Sequence, residues 1–228
     1  METSLYIVRY PQTESEVIAQ ETVMAQARAD NPLLKVHGIS QEAINGMFES
    51  TRQWDVDHKQ RISIYERSTG ELVAGFCLTK ESETYKGAYA SEVINDPKLS
   101  RMFIHYMEIE KDMKSRAEAV FKDHDKVALM HAFGVYPKHR GKGLATLMNE
   151  VAIKLSVENG CDYIFAHMVT PETIHISEKT GYQVINVDYI DDEMFRLVHQ
   201  LEENAEGPLA YPPDLEARIA DLAIRFGD

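Results

Sequence analysis

The residues best suited to chemistry lie in one stretch, His131–Asn149, which reads HAFGVYPKHRGKGLATLMN. Gly141 and Gly143 alternate with the cations Arg140 and Lys142, and Leu144 and Ala145 open a helix-forming run at once. The first N–H groups of a helix have no partner inside it, and its start carries partial positive charge. Glycines keep side chains out of the way of an anion approaching such donors. The order therefore predicts an anion site at residues 140–145, suited to a diphosphate. The spacing is not that of a dinucleotide fingerprint, because no third glycine follows. It is not a nucleoside triphosphate loop either, because no Gly-Lys-Ser/Thr occurs at this turn.

The elements that must position this turn are legible around it. Val127–Val135 is the longest continuous strand candidate, closed by Pro137, and Leu144–Glu158 reads as a helix with a broad apolar side. Tyr163–Val169 is a short strand after the Asn159-Gly160 turn. Pro171 opens a helix ending at Lys179, with Gly181 at its exit. Val184–Tyr189 and Met194–His199 read as a terminal strand pair, and Leu215–Phe226 as a C-terminal helix packing by Leu215, Ile219 and Leu222. Upstream, Leu5–Tyr10 is a strand, and Ser15 caps a helix that runs to Ala29. The Asp30-Asn31-Pro32-Leu33 segment breaks that helix, since a residue before proline resists helical geometry. Ser40 starts a second helix, Gln41–Gln53, and a hairpin pairs Ile62–Glu66 with Leu72–Leu78 across Ser68-Thr69-Gly70. Residues 80–99 are irregular and Arg101–Phe121 has long helical stretches. Strands alternating with helices after residue 127 predict an α/β layer rather than a bundle.

Bulk properties bound the rest. A chain of 228 residues, 44% hydrophobic, is one domain with a sizeable core; we expect a single domain over 1–228, with an inserted segment at 85–126 and a C-terminal extension at 201–228. A net charge of −13 argues against nucleic acid and anionic membrane as partners and suits a cationic small substrate as well as simple solubility. No apolar run approaches the roughly 20 residues of a membrane span. The start, METSLYIVRYPQ, lacks the apolar core of a signal peptide, so a cytoplasmic location is expected. Cys77 and Cys161 supply neither a metal spacing nor a disulfide framework, and both read as structural thiols. Nine histidines include no HxxH or HExxH spacing, so no metal is expected.

Arg140-Gly141-Lys142-Gly143-Leu144-Ala145 resembles the acyl-CoA signature of the GCN5-related N-acetyltransferases (GNAT). Phe133-Gly134-Val135-Tyr136-Pro137 is similar to that family's fourth strand and its exit, and Glu178-Lys179-Thr180-Gly181-Tyr182 to its closing helix-to-strand turn. Asn31-Pro32-Leu33 taken with Arg140–Ala145 is most similar to the arylalkylamine N-acetyltransferases of invertebrates. The resemblance implies a GNAT-type α/β fold, with a central, mixed, twisted β-sheet flanked by helices. It implies that residues 140–145 wrap the diphosphate of acetyl-CoA, the co-substrate. The backbone of Phe133 and Val135 would bind the pantetheine arm where two strands splay. The acceptor would be the primary amine of a small molecule attacking the thioester directly, in a monomer or homodimer. Acetylation of a polyamine, amino acid or protein amine, and a non-catalytic CoA-binding domain, are the alternatives.

The chemistry asks for a neutral amine, a donor for the charge growing on the carbonyl oxygen, and a proton for the departing thiolate. The chain departs from the family pattern at two of these points. Asn31 stands where the arylalkylamine group commonly carries a glutamate base, which leaves neighbouring Asp30 as either the base or a plain helix-end carboxylate. Ser177 stands where many members carry a tyrosine acid. Thr170 and Thr173 fall where the arylalkylamine group places active-site hydroxyls, though Thr170 also reads as a helix cap. His131, on the central strand, is a base or a wall of the acceptor site, and alternation would put it on the face of Phe133 and Val135. His167, near the end of the next strand, and Met102 and Tyr106, in the inserted segment, are candidate acceptor-site residues.

Overall fold

The computed structural model describes residues 5–28, 40–57, 59–80, 127–168, 170–189 and 218–225. The elements, in chain order, are β1 (Tyr6–Arg9), α1 (Glu14–Arg28), α2 (Gln41–Asp57), β2 (Arg61–Glu66), β3 (Leu72–Lys80) and β4 (Val127–Val135). A short 3₁₀ turn (Pro137–His139) leads to α3 (Leu144–Glu158), β5 (Tyr163–Met168), α4 (Pro171–Lys179), β6 (Gln183–Tyr189) and β7 (Arg218–Arg225). The strands form one seven-stranded sheet in the order β1-β2-β3-β4-β5-β7-β6. Only β4 and β5 pair in parallel among these strands, and α3 is the crossover between them. This is the mixed α/β sheet the sequence predicts.

Helix starts follow the capping rules, with one shift. Ser40 Oγ accepts from Ala43 N–H at 3.1 Å and starts α2. The first helix starts from Thr13, whose Oγ1 accepts from Glu16 N–H at 3.3 Å, so Ser15 lies inside the first turn instead of capping it. Glu16 turns back to meet Arg9 of β1 with two hydrogen bonds of 2.6 and 2.7 Å, which ties helix to strand.

The core lies largely on the face of the sheet covered by α3. Met148, Ala152, Ile164 and Ala166 are fully buried there, with Val151 and Met130 almost so. Burying a side chain of this kind contributes about 1.5–3 kcal/mol. Helix α1 packs against β3 and β4, where glycines allow a close approach. A Cβ on Gly134 would sit 2.8 Å from Ala27 Cβ, and one on Gly75 would sit 2.6 Å from the Gln20 amide nitrogen.

The expected C-terminal helix is a strand. Residues 218–225 form β7 and insert between β5 and β6, with Ala220, Leu222 and Ile224 opposite Met168, Ala166 and Ile164. The same segment supports two periods: Leu215, Ile219 and Leu222 read as a helix face, and Ala220, Leu222 and Ile224 as alternation. An otherwise open edge of β5 selects the second. Within the described residues the partner of β6 is therefore β7; residues 194–199, expected to pair with it, lie outside them.

Candidate active site

Strand β4 carries a β-bulge. Gly75 of β3 is opposite Gly134, yet Cys77, two residues on, is opposite His131, so β4 has one residue too many between the pairs. Ala132 takes it up with φ at 51°, a left-handed conformation unusual for a residue with a Cβ. The bulge reverses the alternation. His131 lies on the α1 face with Cys77, whereas Phe133 and Val135 pack on the core of the α3 face. The expectation that His131 shares a face with Phe133 and Val135 is thereby corrected.

The β4–β5 ladder also stops early. Its last pair is Met130 with Ala166, while β5 continues with β7 as far as Met168. The strands thus separate beside the bulge. His131 and His167 are the next residues on either lip, and among the described strands none pairs with residues 131–135 of β4 on that side. An extended chain bearing amides can add to such an edge.

The glycine turn follows directly. Gly141 and Gly143 both have φ of +76°, the left-handed region where glycine carries no Cβ penalty. Gly143 is the N-cap of α3 and makes no side-chain cap hydrogen bond. Among the described residues, a Cβ on either glycine would meet nothing within 4 Å, so they leave the space over the turn open. Leu144 anchors the turn through its buried side chain, Ala145 is half-buried, and Arg140 Nη2 donates to the Ala27 carbonyl at the end of α1 at 3.3 Å. An open helix start with two flanking cations fits a diphosphate, as the residue types predict.

The α1 face holds a buried charge cluster that sequence reasoning missed. Arg61 on β2 is buried and pairs with Glu21 of α1 at 3.2 Å. Arg52 of α2 grips the same carboxylate with hydrogen bonds of 2.6 to 3.0 Å. Arg28 and Arg61 both lie over the Phe48 ring, 5.2 and 5.9 Å from its centre. Arg61, Cys77 and His131 are register partners across β2, β3 and β4. Burial, and then the positive field of Arg28 and Arg61, push the His131 pKa down to about 4. His131 is thus neutral at pH 7 and a weak base. Nothing in the sequence marks this cluster, because its members come from three separate elements.

The remaining candidates divide. Thr170 caps α4 in a reciprocal box: Thr170 Oγ1 accepts from Thr173 N–H, and Thr173 Oγ1 accepts from Thr170 N–H, each at 3.3 Å. Both hydroxyls stand just beyond the end of β5. Ser177 is fully buried between α3 and α4, where its Oγ accepts from Asn149 at 3.2 Å. Asp30, Met102 and Tyr106 lie outside the described residues, as does the segment 85–126.

A family model described as acetyltransferase (GNAT) family matches residues 39–182, more than half of the chain. The chain belongs to the GNAT acetyltransferase family. An uncharacterized N-acetyltransferase of Bacillus subtilis, YdgE, is 36% identical over 66 residues; the match covers 27% of this chain and 41% of that relative's length. The fold is similar to that of a mosquito arylalkylamine N-acetyltransferase-like 5b protein, with a TM-score of 0.70 at 12% identity over 97% of this chain and 100% of the other. It is also similar to a Drosophila melanogaster polyamine N-acetyltransferase that forms N-acetylagmatine, with a TM-score of 0.63 at 13% identity, again over 97% and 100% of the two chains. No helix among the described residues of this GNAT chain is long and apolar enough to cross a membrane.

Proposed function

We propose that the chain transfers the acetyl group of acetyl-CoA to the primary amine of a small molecule with an apolar body, of the arylalkylamine kind. The observation that carries the reading is the continuity of the β4 bulge, the β4–β5 separation and the open glycine turn within residues 131–145. In this reading the N–H groups at the start of α3, with Arg140 and Lys142, hold the diphosphate. The free edge of β4 at Phe133 and Val135 pairs with the pantetheine amides. Acetyl-CoA supplies the activated acyl group.

The chain's own residues must deliver an amine that is neutral. The positive field of Arg28 and Arg61 that depresses His131 acts on any amine beside it in the same sense. His131 then serves as an uncharged hydrogen-bonding wall and not as a strong base, and Asp30 remains the proposed base. The same field opposes a second cationic charge, which favours a monoamine with an apolar tail over a polyamine. Thr170 and Thr173 stay in the reading as hydroxyls at the β5 exit, whereas Ser177 leaves it because its hydroxyl is enclosed.

Thiol release from acetyl-CoA with tyramine, tryptamine and spermidine as acceptors tests the reading. Turnover of the aromatic amines above spermidine is expected. Turnover of spermidine alone would reject the aromatic assignment, and CoA binding with no turnover across a broad panel would favour a binding domain. With an accepted amine, Asp30→Asn should lower turnover at neutral pH, with partial recovery at higher pH and little change in acetyl-CoA binding. A pH–rate profile identical to that of the parent removes Asp30 from the mechanism.

A further inference from the structure

One cluster beside the glycine turn is not used by this reading. His139 is only 5% exposed, although it sits in the basic surface run Pro137-Lys138-His139-Arg140. Lys142 folds back so that its Nζ lies 3.2 Å from His139 Nδ1. An ammonium has no lone pair, so Lys142 donates and Nδ1 accepts. The ring proton is then on Nε2, which faces Glu71 Oε2 at 3.4 Å, an electrostatic contact outside hydrogen-bond geometry. Glu71 stands at the end of the β2–β3 hairpin and also pairs with Lys138, which holds its carboxyl below the usual range. The Tyr136 ring stacks on His139 with centres 6.2 Å apart, and Tyr136 N–H donates to the Val73 carbonyl at 2.9 Å, fixing the turn on β3.

The two lysines of the turn are therefore held differently. Lys138 meets a carboxylate, which neutralises it. Lys142 meets an imidazole nitrogen and no carboxylate in the contact shown, which fixes its ammonium without cancelling its charge. A long side chain held in advance loses less rotamer freedom when an anion arrives.

We propose that His139 is a positioning residue: as the Nε2–H tautomer facing Glu71, it holds the Lys142 ammonium at the glycine turn for the diphosphate of the acyl donor. The inference rests on the proposed assignment of residues 140–145 to that diphosphate. The unmodified full chain gives one test. Nitrogen-15 NMR of its histidine rings at neutral pH should find His139 protonated on Nε2 and bare on Nδ1; a proton on Nδ1 overturns the proposal.

Calorimetry with CoA, and with pantetheine as the diphosphate-free probe, gives the other. His139→Leu should weaken CoA binding about fivefold and leave pantetheine binding unchanged. His139→Asn, whose amide oxygen can replace Nδ1 as acceptor, should restore most of the loss. Combined with Lys142→Met, His139→Leu should cost nothing further. Losses that multiply in the double variant, or an equal loss for pantetheine, would show that His139 acts only on the fold. If Lys142→Met and Gly143→Val both leave CoA affinity intact, the diphosphate assignment itself fails, and the positioning role fails with it.

Discussion

His131 and Phe133 lie two positions apart in β4 yet face opposite sides of the sheet, because the bulge at Ala132 inserts a residue between the Cys77–His131 and Gly75–Gly134 pairs. The imidazole is thereby turned toward the arginines under α1, and the apolar pair is left with the core.

That environment has a pH signature. His131 has a folded pKa of about 4 against an ordinary value of 6.5. Above pH 6.5 both folded and unfolded chains carry it neutral. As pH falls from 6.5 toward 4 the unfolded chain takes a proton that the folded chain refuses, so stability falls, and this contribution levels off below 4. The expected loss is on the order of 3 kcal/mol. Chemical denaturation of the parent and of His131→Gln across this range should show the slope flattened in the variant.

Glu21 is a carboxylate partner of buried Arg61. Glu21→Ala takes the Glu21 carboxylate away from that buried guanidinium and removes the bond that ties α2 to α1 through Arg52. A loss of about 3–5 kcal/mol is expected from thermal or urea unfolding. Arg52→Ala should cost much less, because its side chain is partly solvated and Arg61 keeps Glu21 paired.

These contacts mark where the sequence was legible. Val127–Val135, Leu144–Glu158 and Pro171–Lys179 have the bounds that their local patterns imply, since each is fixed by glycine, proline or apolar period near at hand. The glycine turn was legible for the same reason. The bulge was not, because Ala132 carries no turn signal, and the strand at 218–225 was not, because its choice of period depends on a distant edge of β5. The Glu21–Arg52–Arg61 cluster and the His139–Glu71 contact join elements far apart in the chain, and one sequence holds no local trace of them.

Gly134 is set by space. Its missing Cβ makes room for Ala27, and the Met24 Cα lies 3.3 Å from the same point. Gly134→Ala should push α1 from the sheet and lower stability by about 1–3 kcal/mol, measured by urea unfolding.

Gly143 is set by conformation: among the described residues its Cβ would meet nothing within 4 Å, while φ is +76°. Gly143→Val should leave most of the fold intact but shift the turn, and lower CoA affinity about tenfold or more by calorimetry.

In the proposed function the start of α3 receives the diphosphate of the acyl donor. Titration of the nitrogen-15-labelled full chain with CoA, followed at the backbone amides of Gly141, Gly143, Leu144 and Ala145, addresses it without altering a residue. These amides are expected to shift first and most, together with those of Phe133 and Val135. Saturable CoA binding that moves other amides and leaves the turn unchanged would contradict it.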